Sequence, residues 1–345
     1  MRKESQRLLT ALSAVCLIAG GAAAATMTLH SEALQPDGSI RLKAGGASKV
    51  EVRLDGQPAA SVKFESGNPG FFSVDKHYSF LGNTVDAADS GFKAAVSFSG
   101  QTDFHASGNV YRDARIDFGR EHVNLPGADY RGRLVGETFD RAHVNGGPAL
   151  AAFTDCTFIG ASNVLGLTGA TFAACTIRGG AWDAAGSFRN AKAEGATFRI
   201  NRDALLDFSD STLVNPAFES PSASVGLLLD RCRIQVDKPC TFASPGNMAR
   251  IAISRSEMSL LPGASPFTFA GGWSAKGIGT QIELVDVTFK EEKPVEGLLH
   301  KFGWNAPKDD PVKLTYNLTR TKLPKGIQLT DEKGKAGNAV FNVQP

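Results

Sequence analysis

Between Gly127 and Ser220 the sequence reads in fives. The blocks ADYRG, RLVGE, ETFDR and AHVNG are followed by AAFTD, CTFIG, ATFAA, CTIRG, GAWDA, GSFRN, AKAEG, ATFRI, STLVN and PAFES, with Glu137 shared where the second and third overlap. A block usually opens on Ala, Gly, Cys or Ser, carries a larger apolar residue two places on, and closes on two polar or small residues. A helix repeats every ~3.6 residues and a strand every ~2, so neither uses this period. A chain that turns a corner every five residues does use it, because each side must direct one small and one large group inward.

On those blocks the stretch resembles the pentapeptide-repeat family, whose members wind into a right-handed, four-sided parallel β-helix. The resemblance implies that four blocks make a turn and that apolar centres recur about every 20 residues. One set is then Phe153, Phe172, Ala193, Leu213, Ile234, Met258 and Phe289. A second is Phe139, Phe158, Ile177, Phe198 and Phe218, and a third Leu167, Phe188, Phe208, Leu229, Ile253 and Leu284. The competing alignment, Phe172 over Phe188, leaves 16 residues, too few for four five-residue sides.

After about residue 226 the runs LLLDRCRIQV, RIAISRSEMSL and IELVDVTFKE become longer and more β-branched. Two insertions separate them, Asp237–Ala249 and Leu261–Gln281. Here the chain resembles, in topology, the broader β-helix of pectate-lyase-like proteins.

Residues 1–25 read as an export leader: Arg2, Lys3 and Arg7 precede LLTALSAVCLIAG and then GAAAA, with cleavage expected near Ala25. The apolar run is shorter than the ~20 residues of a membrane span, and no later segment is long enough, so no span is expected in the mature chain. This predicts a periplasmic or secreted protein. The chain holds 37 Lys and Arg against 35 Asp and Glu, and losing Arg2, Lys3, Arg7 and Glu4 takes the formal charge from +2 to zero. A balanced surface argues against a nucleic-acid partner. It also argues against the DNA mimicry of some pentapeptide proteins, which needs an acidic surface.

The remaining segments are β-rich. Residues 26–115 hold short alternating runs such as SKVEVRL and KAAVSFSG between turn residues, the pattern of a small antiparallel sheet or sandwich. With LDGQPA and SGNPGFFSV, the stretch from about 38 to 100 resembles a bacterial immunoglobulin-like domain; the alternative is a cap on the solenoid. Residues 292–345 contain VKLTYNLT, KGIQLT and AVFNVQ, expected as antiparallel capping or flanking strands. The organisation is therefore a leader at 1–25, a β region at 26–115, a parallel β-helix at 116–291 and a β-rich end at 292–345. The fold class is all-β.

Chemistry has one candidate location. Two residues past the apolar centres the chain reads Asn190, Asp210, Arg231, Arg255 and Asp286, with Asp230, Arg233 and Glu257 beside them. One reading is a charge-compensated ladder, Asp210 against Arg231 and Arg255 against Asp286, on a scaffold that presents its ladders to a polysaccharide or an envelope protein. The other is a sugar-processing site with Asp210, Arg231, Arg255 and Asp286 as catalytic groups. Asp230, Arg233 and Glu257 would then contact the ligand with Trp273 and Lys276 from the second insertion. The pectate-lyase-like resemblance implies carboxylates with Ca²⁺ and a basic residue that removes a proton; hydrolases of that fold pair carboxylates as acid and base. No cofactor is expected outside the lyase alternative.

Six scattered His and four Cys after the leader show no metal-binding spacing. Cys156, Cys175 and Cys232 open blocks where neighbours have Ala, which reads as small buried groups; a local Cys232–Cys240 disulfide is the other option for that pair.

Overall fold

The computed structural model describes residues 25–29, 42–43, 49–54, 57–63, 70–73, 79–81, 84–86, 94–98, 105–118, 131–145, 150–165, 170–183, 186–201, 203–236, 239–243, 247–260, 265–270, 279–291, 297–302, 314–329 and 339–345. Side chains are described only from Ser107 onward. Residues 1–24 of the expected leader, Trp273 and Lys276 lie outside this set. The chain divides into two units, Met1–Ala170 and Thr171–Pro345.

In both units short strands visit three sheets in strict rotation, pairing in parallel with the strands one turn before and after. In the first unit, sheet 1 holds Ser79–Leu81, His105–Ser107, Arg131–Val135 and Leu150–Thr154. Sheet 2 holds Thr84–Asp86, Val110–Arg112, Thr138–Asp140 and Thr157–Ile159. Sheet 3 holds Gly70–Ser73, Ala94–Phe98, Arg115–Phe118, His143–Asn145 and Ser162–Leu165. The second unit repeats the rotation, for example Gly186–Arg189 in sheet 1, Lys192–Glu194 in sheet 2 and Thr197–Arg199 in sheet 3. This is an all-β parallel β-helix.

The turns have three sides. Phe172 stacks face to face on Phe188, with centroids 4.3 Å apart, and Ala170–Ala173 lies beside Gly186–Arg189 in sheet 1. The 16-residue alignment is therefore the one the fold uses, because three five-residue sides need no more. Expecting four sides displaced the register by one side at this turn. Phe172 shares its column with Phe188, Phe208, Leu229, Ile253 and Leu284, whereas Ala193, Leu213, Ile234, Met258 and Phe289 continue from Ile177 in sheet 2.

Among the described residues antiparallel pairing is confined to the start of the chain. Lys49–Leu54 forms a hairpin with Gln57–Lys63, Ala25–Leu29 runs antiparallel to Thr84–Asp86, and Leu42–Lys43 runs antiparallel to Gly70–Ser73. The later strands of the same region, from Gly70 on, already belong to the parallel ladders. At the other end Leu314–Thr319 and Ala339–Gln344 also pair in parallel, extending sheet 1, where antiparallel strands were expected.

Where side chains are described, the middle residue of most three-residue strands points inward and is buried. In the first unit Tyr111, Phe139 and Phe158 stack at 5.1 and 4.7 Å. In the second, Phe172, Phe188 and Phe208 form one stack, and Trp182, Phe198, Phe218, Phe242 and Phe269 fill the sheet 3 side. Each such side chain contributes roughly 1.5–3 kcal/mol by leaving water.

One corner has constant length. Among the described residues the inward centres from sheet 1 to sheet 2 are five residues apart: Leu134 to Phe139 and Phe153 to Phe158 in the first unit, and six further steps from Phe172–Ile177 to Leu284–Phe289 in the second. All lengthening enters at the other two corners. The insertions at 237–249 and 261–281 both leave there, on either side of the sheet 3 strands Cys240–Ala243 and Phe267–Ala270.

The constant corner is closed by one left-handed residue per turn: Gly108, Gly136 and Asp155 in the first unit, then Ala174, Asn190, Asp210, Arg231, Arg255, Asp286 and Arg320 in the second. A non-glycine residue is disfavoured at positive φ. It persists here because its own N–H bonds the carbonyl of the next turn, as in Asn190 to Ser209, Arg231 to Ser254 and Asp286 to Thr319. The residue after the corner points inward, and its N–H is capped by a side-chain oxygen from the following turn: Ala191 by Ser211 (3.0 Å), Cys232 by Ser256 (2.9 Å) and Val287 by Thr321 (3.2 Å).

Candidate functional site

Asp210, Arg231, Arg255 and Asp286 occupy successive turns of the constant corner in the second unit, with φ between 49° and 54°. The left-handed backbone turns their side chains outward while the adjacent small residue packs inward. Strand pairing sets these corners about 4.8 Å apart along the axis, within reach of a guanidinium on the next turn.

Each corner arginine reaches back to a carboxylate of the turn before. Arg231 grips Asp210 through Nε–Oδ1 (2.6 Å) and Nη2–Oδ2 (2.8 Å), and also bonds Asp230, the last residue of the strand Ser224–Asp230. Arg255 bonds both oxygens of Asp230, with Nε–Oδ1 at 2.8 Å, rather than Asp286. Asp286 is held one turn further on by Arg320, at 2.7 Å to each oxygen. Such two-point contacts fix orientation as well as charge. On sheet 2 beside the corner, Glu257 lies 3.6 Å from Arg233 and 2.6 Å from Lys290. A shallow depression of about 500 Å³ lies between Arg231, Arg233, Arg255, Glu257 and Asp286.

The electrostatics follow the pairing. The Arg231 hydrogen bond holds the Asp210 carboxyl below its usual range, and the Arg320 bond does the same for Asp286. Burial pushes Asp230 up, but the Ser254 hydroxyl and the two arginines outweigh it and leave its carboxyl low. All three are anions held against guanidinium groups. Asp207 behaves differently. Its carboxyl is raised, first by burial and then by the negative charge of Asp230, against the pull of Arg189. It lines a second depression of about 240 Å³ on the outer face of sheet 1, with Leu228, Ala252, Asp230 and Glu283. Glu283 is paired with Arg250.

The expected candidates thus come together along one edge, apart from Trp273 and Lys276, which lie outside the described residues. The sequence reading missed Arg320, although it stands two places past the inward-facing Leu318 and obeys the same rule as the others. It also missed Asp207, which nothing in the repeat distinguishes from any outward strand position. Cys156, Cys175, Cys232 and Cys240 are buried and unbridged. Cys232 sits in the inward column after the corner, its Sγ 3.5 Å from the Phe208 carbonyl, whereas Cys240 begins a sheet 3 strand; they are not joined. Burial pushes the Cys232 thiol up to about 11 and that of Cys240 to about 12, which makes both poor nucleophiles. Among the described residues no group of three or more His, Cys, Asp or Glu is arranged to hold a metal ion, and no helix is long and apolar enough to cross a membrane.

No protein-family model, curated protein or solved structure matches the chain.

Proposed function

We propose that the protein is an exported, non-catalytic β-helical scaffold or binding protein of the bacterial envelope, presenting its side-chain ladders to a glycan or protein partner. The observation that carries this reading is that in the second unit the corner carboxylates Asp210 and Asp286, and Asp230 beside them, are each claimed by an arginine one turn on. A carboxylate locked as an anion against a guanidinium is poorly placed to take or give a proton near neutral pH. Asp210 and Asp286 are also three turns apart, about 14 Å along the axis, more than the ~6.5–9.5 Å that separates the two acids of an inverting glycosidase. What remains is a rigid edge of matched charges, suited to register with a partner.

The alternative, a polysaccharide lyase or glycoside hydrolase, has one observation in its favour. Asp207 and Asp230 line one depression, and their carboxyls are shifted in opposite directions, the combination that lets one acid protonate and its neighbour stay ionised.

The deciding experiment incubates the protein with uronate-containing and neutral polysaccharides, with and without Ca²⁺, and reads three signals. Retention on insoluble glycan or on envelope fractions without new products supports the scaffold. Ultraviolet-absorbing unsaturated products establish a lyase. New reducing ends that vanish in Asp207→Asn establish a hydrolase.

A further inference from the structure

A buried acid stands in the first unit at a position that takes small residues such as Cys156, Cys175, Ala191, Ser211, Cys232 and Ser256 in later turns. Glu137 follows the left-handed Gly136 at the constant corner, in the inward slot occupied by Cys156 one turn later. It is fully buried. One oxygen caps the Asn109 backbone N–H at 3.1 Å, as serine and threonine hydroxyls do in the second unit. The Asn109 side-chain amide donates to both oxygens at 2.9 and 3.0 Å, and the Tyr111 hydroxyl donates at 2.8 Å.

All of these partners are neutral. Among the described residues, the titratable groups around Glu137 are Tyr111 from the strand Val110–Arg112, which bonds it, and Cys156 from the next corner, which acts on Tyr111. The charged neighbours Arg112, Arg133, Asp140, Arg141 and Asp155 hold outward positions on those strands and corners, and Arg141 is spent on Asp113 and Asp140. A carboxylate buried without a cation is unfavourable unless water reaches it. Gly108 at the corner beside it is exposed, and Glu137 caps the N–H of Asn109 there.

We propose that Glu137 is a pH-responsive latch: as a neutral acid it closes the Asn109 corner of the first unit, and as the medium passes from acid to neutral that corner opens increasingly to hydrate the carboxylate. In support, burial pushes the Glu137 carboxyl up to about 7 against the pull of its three donors. The sign follows from linkage. The closed form holds its proton up to about pH 7, whereas the open, hydrated form releases it at the ordinary glutamate value of about 4.3. Opening therefore becomes more favourable with rising pH between those limits and levels off above them.

The test is residue-resolved hydrogen exchange of the full chain, corrected for the intrinsic rate at each pH. The Asn109 amide should lose protection roughly tenfold per pH unit between pH 5 and 7 and then level off; in Glu137→Gln its protection should not change with pH. Equal pH dependence in the two proteins would overturn the proposal. Should Glu137→Gln fail to fold, Tyr111→Phe removes one donor and should move the levelling-off to higher pH. An unmoved profile would overturn the latch equally.

Discussion

Arg231 holds both oxygens of Asp210 from one turn further along the axis, and Arg320 holds Asp286 in the same way. In the first unit the relation recurs at the corner between sheets 2 and 3, where Arg141 grips Asp113 at 3.0 and 2.9 Å. Each pair joins two left-handed corner residues on successive turns. The salt bridges thus follow the helix axis, across the hydrogen-bonded ladders that already bind turn to turn.

Because these pairs are exposed, they should contribute little to stability. Arg231→Ala and Arg320→Ala are expected to leave the thermal midpoint close to that of the wild type, with any loss shrinking further in high salt. Melting followed by circular dichroism checks this, and a loss as large as that of a core truncation would make the ladder structural.

The aromatic columns should behave in the opposite way. Phe188 contacts Phe172, Trp182, Phe198 and Phe208. Phe188→Ala should destabilise the second unit by about 3–5 kcal/mol, measured by denaturant unfolding. Phe172→Asp, which buries a charge in the same stack, should abolish its cooperative transition, whereas Phe172→Leu should keep it.

Two glycines separate strain from crowding. Gly136, at φ +64°, has open space where a Cβ would stand, so Gly136→Ala should cost only about 1–2 kcal/mol for the left-handed backbone. At Gly226, φ +145°, a Cβ would come 2.1 Å from the Arg250 carbonyl oxygen. Gly226→Ala must therefore break the pairing of Ser224–Asp230 with Met248–Ser254. Faster exchange of the Arg250 to Ser254 amides in this variant alone is the expected outcome.

His300 gives the second unit a pH response opposite to that of Glu137. It is buried beside Tyr316, Phe269 and Phe341, with the neutral Tyr316 stacked on it. Burial lowers its imidazole to about 4. Since the folded value lies below the unfolded value of about 6.5, its contribution is complete above pH 6.5 and is lost as pH falls toward 4. The loss amounts to about 3 kcal/mol. His300→Phe should flatten the stability of the second unit over that window, while the same titration leaves the Glu137 response of the first unit unchanged.

The period of five made the β-helix legible, since Phe139 and Phe158 in sheet 2, and Phe198 and Phe218 in sheet 3, repeat at spacings only a short-sided solenoid uses. The number of sides was not legible. Most turns carry a few extra residues at the corner between sheets 3 and 1, and these mimic a fourth side; only the Phe172–Phe188 turn is short enough to expose the true count. The corner ladder was legible as a column because its residues stand at one offset from the buried centres. Its pairing was not, because whether Arg255 turns toward Asp230 or Asp286 depends on axial direction rather than spacing. Glu137 left one trace, an acid in the slot where the blocks open on a small residue, at the point where two blocks overlap. Asp207 left none, since its raised carboxyl depends on how deeply Leu228 and Ala252 let the surface dip.

The five-residue corner has a metric consequence. In the second unit no insertion interrupts it, so the charges along that edge are spaced by the backbone pairing itself, about 4.8 Å per step. The edge is in effect graduated. A partner whose own repeat is commensurate with that step can stay in phase over many turns and add its contacts together. A partner with another repeat drifts out of phase after a few turns, whatever the chemistry of any single contact.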